Sequence, residues 1–159
     1  MNRENDLAYL RKAIALSEQS RVRGNHPFAA IVTDGEGTVL SEAMNDIHAD
    51  CTSHAELVAV RLASSQFNPV QLRHATLYSS AEPCAMCAGA IYWSGIGRVV
   101  YALSEERLLQ LTGNHPENST LSLPCREVFA RGQRTIEVIG PLLEDEAAMP
   151  HKGFWRGLD

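Results

Sequence analysis

The sequence predicts an α/β protein, a three-layer α/β/α sandwich around a mixed five-stranded sheet, and three observations predict it. Segments of strand length alternate with segments whose apolar residues recur at helical spacing, in the order α-β-β-α-β-α-β-α-β-α. The first two strand segments are separated only by Asp34-Gly35-Glu36-Gly37, a turn short enough for an antiparallel hairpin. Helical segments separate the last three strands, which calls for right-handed crossovers between parallel strands.

Residues 5–20 carry Leu7, Leu10 and Ile14 at helical spacing, with Asn5 as a cap, and Arg23-Gly24-Asn25-His26-Pro27 ends that helix. Residues 28–33 read as a buried strand and 38–42 as its hairpin partner. A polar stretch, 44–53, leads to a helix over 54–63 that is apolar nearly all round and therefore buried on most sides. Residues 75–79 alternate as a strand that stops just before Pro83 and Cys84. The helix over 85–93 carries no charged residue. One sheet covers only one side of a helix, so its outer face is expected to meet a second copy of the chain. Then follow a strand over 97–102, a helix over 105–111, a polar loop over 112–124, a helix over 126–131, a strand over 135–139 and a final helix over 142–148. Loops as long as 112–124 are usually functional.

At 159 residues the chain suits one domain, 1–159, with one core. Hydrophobic residues make up 45% and charged residues 21%, the balance of a soluble globular protein. No apolar run approaches the ~20 residues needed to span a bilayer, and the first residues lack the basic-then-apolar order of a signal peptide, so a cytoplasmic location is expected. The net charge of −5 offers phosphate no general attraction. A small-molecule substrate is therefore expected in preference to nucleic acid.

Two stretches carry the chemistry, His54-Ala55-Glu56 and Pro83-Cys84-Ala85-Met86-Cys87. One imidazole and two thiolates at C-x-x-C spacing form a three-ligand zinc site whose fourth position stays open for water, activated at a pKa near ~7. Glu56 is left free to move protons. His54 and Cys84 each stand where a loop turns into a helix, and the positive helix ends lower thiol pKa there. Residues two apart on a helix do not share a face, so His54 and Glu56 reach one site only if it lies off the helix end. A structural four-ligand site would have to recruit Cys51, His48 or His26. A redox C-x-x-C leaves the His-x-Glu partner unexplained.

Asn45, His54-Ala55-Glu56, Glu82-Pro83-Cys84-Ala85-Met86-Cys87 and Gly89-Ala90-Ile91-Tyr92-Trp93 occur in the order found in the cytidine deaminase superfamily, which the chain resembles over roughly residues 5–140. The resemblance implies the cytidine deaminase-like fold, one Zn2+ per chain held by His54, Cys84 and Cys87, and Glu56 as acid and base. The uncovered face of the 85–93 helix makes a homodimer the expected assembly. Pro27-Phe28 and Ala90-Ile91-Tyr92-Trp93 resemble the guanine deaminase branch more than the transfer-RNA adenosine deaminases. That branch implies Phe28 and Trp93 as pocket aromatics, Asn45 as a polar contact and the Ala55 N–H as a donor to the substrate carbonyl. An acidic residue from the late segments should accept from the base, with Glu117 and Glu144 as candidates beside Asp145 and Glu146. Phe154 and Trp155 either close over the pocket or anchor the last helix. On their own residues, Phe28 could equally be core, Trp93 interface and Asn45 a turn residue. His26, His48 and His115 read as surface or turn residues, and Cys51 as a small buried hydrophobe. Cytosine, nucleosides and triazines stay open as substrates, as does a catalytically silent deaminase-fold subunit.

Overall fold

The predicted hairpin forms from β1 (Ala29–Thr33) and β2 (Val39–Met44), paired antiparallel with Ala29 opposite Met44. Its turn is built by Asp34, whose Oδ1 accepts from the N–H groups of Glu36 and Thr38, and Gly37 takes the positive φ (93°) that closes it. The computed structural model describes residues 2–156; Met1 and the tail residues 157–159 lie outside the described residues.

The sheet has the order β2-β1-β3-β4-β5, with β3 (Thr76–Ala81), β4 (Arg98–Leu103) and β5 (Glu137–Ile139) parallel to one another. β1 runs antiparallel to β3 as well as to β2, which places the hairpin beside the parallel half of a mixed five-stranded sheet. β1 and β3 are buried along their whole length, as strands covered on both faces must be.

Two clusters pack on opposite faces of the sheet. One combines Ala30, Val32, Leu77 and Val99 with α2 (Ala55–Ser64), α4 (Ala85–Ser94) and α6 (Cys125–Ala130), through Ala59, Ile91 and Phe129 among others. The other combines Ile31, Tyr78 and Val100 with α1 (Arg3–Val22), α5 (Glu105–Thr112) and α7 (Glu144–Ala148), through Leu10, Leu108 and Ala147. Neighbouring strand residues thus feed opposite cores, which makes the three-layer α/β/α sandwich. Beneath it, buried Asp6 on α1 accepts both Arg98 guanidinium N–H groups at 2.8 and 2.7 Å and the Tyr78 hydroxyl at 3.0 Å, tying α1 to β3 and β4.

Several element limits differ from expectation. α1 starts at Arg3, because Asn2 is its cap and accepts from the Asn5 N–H. A single helical turn, α3 (Pro69–Leu72), was not anticipated; the reciprocal bonds of Asn68 and Gln71 form its capping box. The last helix begins only at Glu144, since Leu143 holds a left-handed conformation (φ 57°), and it continues as a 3-10 turn, Met149–His151.

Candidate active site

Both halves of the motif stand at helix starts on the side of the sheet where β3 ends. His54 and Cys84 are the N-caps of α2 and α4, in extended conformation (ψ 146° and 172°), so neither belongs to its helix proper. This removes the geometric difficulty of the His-x-Glu spacing. His54 reaches the site from outside the first turn and Glu56 from within it.

The ligand atoms of His54, Cys84 and Cys87 all lie within 4.8 Å of one another, with Cys84 Sγ 3.5 Å from His54 Nδ1. Tetrahedral zinc with typical Zn–S and Zn–N bonds sets such atoms about 3.6 Å apart, so the donor set fits zinc in chemistry and in spacing. Cys51 is not in the group, which leaves three protein ligands, the number of an open catalytic site. Zinc held there supplies Lewis-acid activation of water.

The surroundings set the protonation of this cluster. A hydrogen bond from Cys87, and next to it His54, draw the Cys84 thiol down to about 4. Cys87, the donor in that pair and itself buried, is pushed up, and the lowering at Cys84 comes first from its thiol and imidazole neighbours. The bond to Cys84 raises His54. Burial pushes the Glu56 carboxyl up; it is 5% exposed. Its Oε1 accepts from Ser79 Oγ at 2.7 Å and its Oε2 faces Cys87 Sγ at 3.7 Å. A carboxyl with raised proton affinity beside a metal cluster is suited to take up and return a proton.

These residues open on a cavity of about 370 Å³. His54, Glu56 and Cys84 line it together with Phe28 and Asn45 from the hairpin and Glu117 from the loop after α5. Asn45 is 3% exposed and its Oδ1 has no hydrogen-bond partner, an unsatisfied group of the kind that buried sites keep for a ligand. Ala55, the first residue of α2, has one of the N–H groups that a helix start leaves without an intrahelical acceptor.

Two expected contacts stand elsewhere. Trp93 lies nine residues along α4 from Cys84, roughly 13 Å by helical rise, and is 82% exposed on the outer surface. The charge-free run of α4 had left open which face was pocket and which was exterior. Glu144 is bound to Ser104, accepting from its N–H at 2.9 Å and its Oγ at 2.7 Å, and so secures the start of α5. Asp145 and Glu146 pair with Arg107 and Arg11 at the surface. Of these four acidic residues, Glu117 alone lines the cavity.

Other residues were missed or misread. Cys51 is exposed and lines the cavity, because the 44–53 stretch is turn and not core. His26 is 6% exposed and also lines it, held among Phe28, Phe154 and Trp155. Trp155 is itself buried, donating to His151 Nδ1 at 3.1 Å, so Phe154 and Trp155 anchor behind Phe28 and are not among the residues that line the cavity. Ser79 carried a signal, a small polar residue on a buried strand two turns of the pleat before the metal loop. Glu82 accepts the N–H groups of Glu105 and Cys125 and fastens the metal loop to the starts of α5 and α6.

A three-ligand His/Cys/Cys cluster with an adjacent buried glutamate, at the strand ends of an α/β/α sandwich, defines a zinc-dependent deaminase. The chain belongs to the family described as the cytidine and deoxycytidylate deaminase zinc-binding region, whose family model matches residues 3–103. Among curated relatives, a probable cytosine deaminase from Schizosaccharomyces pombe is 47% identical over 97% of this chain and 94% of its own length. The guanine deaminase of Bacillus subtilis is 37% identical over 64% of this chain and 65% of its own. In structure, the guanine deaminase from Nitrosomonas europaea superposes with a TM-score of 0.74 at 25% identity, covering 92% of this chain and 82% of that one.

Proposed function

We propose that this chain is a homodimeric, cytoplasmic zinc aminohydrolase that deaminates a free nucleobase, guanine or a related aminopurine first. One observation carries the reading: His54 and Cys84 of the His/Cys/Cys cluster, the Glu56 carboxylate and Asn45, whose Oδ1 is unpaired, line the same cavity as Phe28 and Glu117. Glu56 takes a proton from the attacking water and hands it to the ring nitrogen beside the attacked carbon, then takes the remaining proton from the new hydroxyl and passes it to the amine, so that the C–N bond breaks, ammonia leaves and a carbonyl remains. Phe28 stacks on the base, Asn45 and the Ala55 N–H hold its polar edge, and Glu117 accepts from its N–H groups. Among the structural relatives, a guanine deaminase and a protein solved in complex with 2,6-diaminopurine, the latter at 25% identity and a TM-score of 0.75, support a purine.

A second reading, cytosine, is favoured by the relative that is 47% identical over nearly the full chain. A transfer-RNA substrate is disfavoured by the net charge of −5, and a silent binding subunit by the presence of Glu56 beside the metal ligands. No helix among the described residues is long and apolar enough to cross a membrane, in keeping with the proposed location.

The test is ammonia release from a panel of guanine, 2,6-diaminopurine, adenine, cytosine, cytidine and aminotriazines. The highest kcat/KM is expected with guanine or the diaminopurine. Turnover of cytosine alone would move the assignment to the second reading, and no release from any compound would overturn both.

A further inference from the structure

The loop between α5 and α6 has no regular structure, and the Glu117 side chain at the cavity wall is 58% exposed. An exposed carboxylate on such a loop samples many rotamers and makes a poor reader of a substrate. The residue it touches is the opposite. His26 has a side chain only 8% exposed, and its Nε2 lies 3.1 Å from Glu117 Oε2. Its backbone carbonyl accepts from Ser20 Oγ at 2.7 Å and from the Phe28 N–H at 2.8 Å. Its ring packs against Trp155, with centroids 5.0 Å apart, and against Phe154 at 5.9 Å. The loop has a second contact with the same cluster, His115 against Trp155 at 5.2 Å.

We propose that His26 is a positioning residue, donating its Nε2–H to Glu117 Oε2 so that Oε1 of that carboxylate is presented at the cavity wall to an N–H donor of the base. A carboxylate can only accept, so the imidazole nitrogen facing it carries the hydrogen. The rigid partner comes from the segment before β1, and fixing one oxygen there leaves the other with a defined direction. This inference rests on the proposed deaminase reading for the substrate and on the geometry alone for the positioning. It adds a specificity role to a residue in which the sequence shows only a turn histidine.

Packing and positioning are separated by two substitutions. His26→Phe keeps an aromatic ring of similar size and removes the donor, whereas His26→Gln keeps an N–H donor near the Nε2 position and removes the ring. With the best substrate of the panel, His26→Phe should raise KM about tenfold with kcat within threefold, His26→Gln should recover most of that loss, and Glu117→Gln should match His26→Phe. The double variant His26→Phe/Glu117→Gln should be no worse than Glu117→Gln alone. An unchanged KM in His26→Phe, or additive losses in the double variant, would overturn the proposal. Hydrogen–deuterium exchange of residues 113–124 is measured on the same proteins without substrate. Faster exchange in His26→Phe, restored in His26→Gln, supports the positioning even if no base on the panel is turned over, an outcome that would sink the deaminase reading by itself. Exchange unchanged in His26→Phe would overturn the positioning whatever the substrate.

Discussion

Ser79 Oγ donates a 2.7 Å hydrogen bond to Glu56 Oε1, so a strand residue under the site orients an acid carried by a helix of the layer above. A hydrogen bond to a charged group contributes about 1.5–3 kcal/mol. Ser79→Ala should therefore lower kcat about 10- to 100-fold with bound zinc unchanged. Glu56→Gln should lower it further, about 10²- to 10⁴-fold, again with zinc retained, because proton transfer itself is lost. Ammonia release and metal analysis on both variants check this, and full activity in Glu56→Gln would remove Glu56 from the mechanism.

Cys87 is buried and its thiol is pushed up, chiefly by the hydrogen bond it gives Cys84. Zinc has to displace that proton, so metal affinity should weaken as pH is lowered. Zinc titrations at pH 6.5 and 8 measure the effect, with tighter binding expected at the higher pH. Cys87→Ala should leave the chain without stoichiometric zinc, and a variant that still carries one ion would contradict the ligand assignment.

His151 is 2% exposed, its Nδ1 accepts from Trp155 Nε1–H, and burial pulls its pKa down to about 4. In the unfolded chain it returns to about 6.5. Between those values the unfolded state binds the extra proton, so stability falls as pH drops from about 6.5 to 4 and levels off below. The loss attributable to this group is roughly 3 kcal/mol at most. His151→Asn keeps an acceptor for Trp155 and does not titrate. Urea unfolding at pH 7 and pH 5 should show a smaller pH-dependent loss in the variant than in the wild type; equal slopes would refute the account.

Trp93 is 82% exposed, and Leu62 on α2, Val70 on α3 and Met86 on α4 are further exposed apolar residues of the same stretch of chain. If this is the surface that pairs two chains, Trp93→Glu should shift the protein from dimer to monomer in light-scattering chromatography at micromolar concentration. A monomeric wild type would dismiss the homodimer.

The local signals decided much of the fold and all of the proposed metal cluster. Asp34-Gly35-Glu36-Gly37 specified a hairpin because few other conformations suit that turn, and the largely apolar runs of 54–63 and 85–93 specified helices, each of which buries one face on the sheet and leaves residues such as Leu62, Met86 and Trp93 exposed. His54, Cys84 and Cys87 were legible because ligand identity and spacing are properties of the chain itself. The misplacements share one cause. The charge-free run of α4 says that the helix is covered without saying by what, so Trp93 was assigned to the pocket when it faces outward. A run of acids at the start of α7 says nothing of partners, and Ser104, Arg107 and Arg11 come from elements 38 to 135 residues away in sequence.

The sequence by itself determined the fold class, the proposed ligand set and the presence of a glutamate beside it, since periodicity and motif spacing are encoded over a few tens of residues. Only the tertiary structure decided which late carboxylate meets the cavity, that Ser79 orients Glu56, and that His26 is buried against Glu117, 91 residues away. Those relationships depend on how a loop, a strand and a tail converge in space, and contacts at such separation leave no periodic trace in the chain.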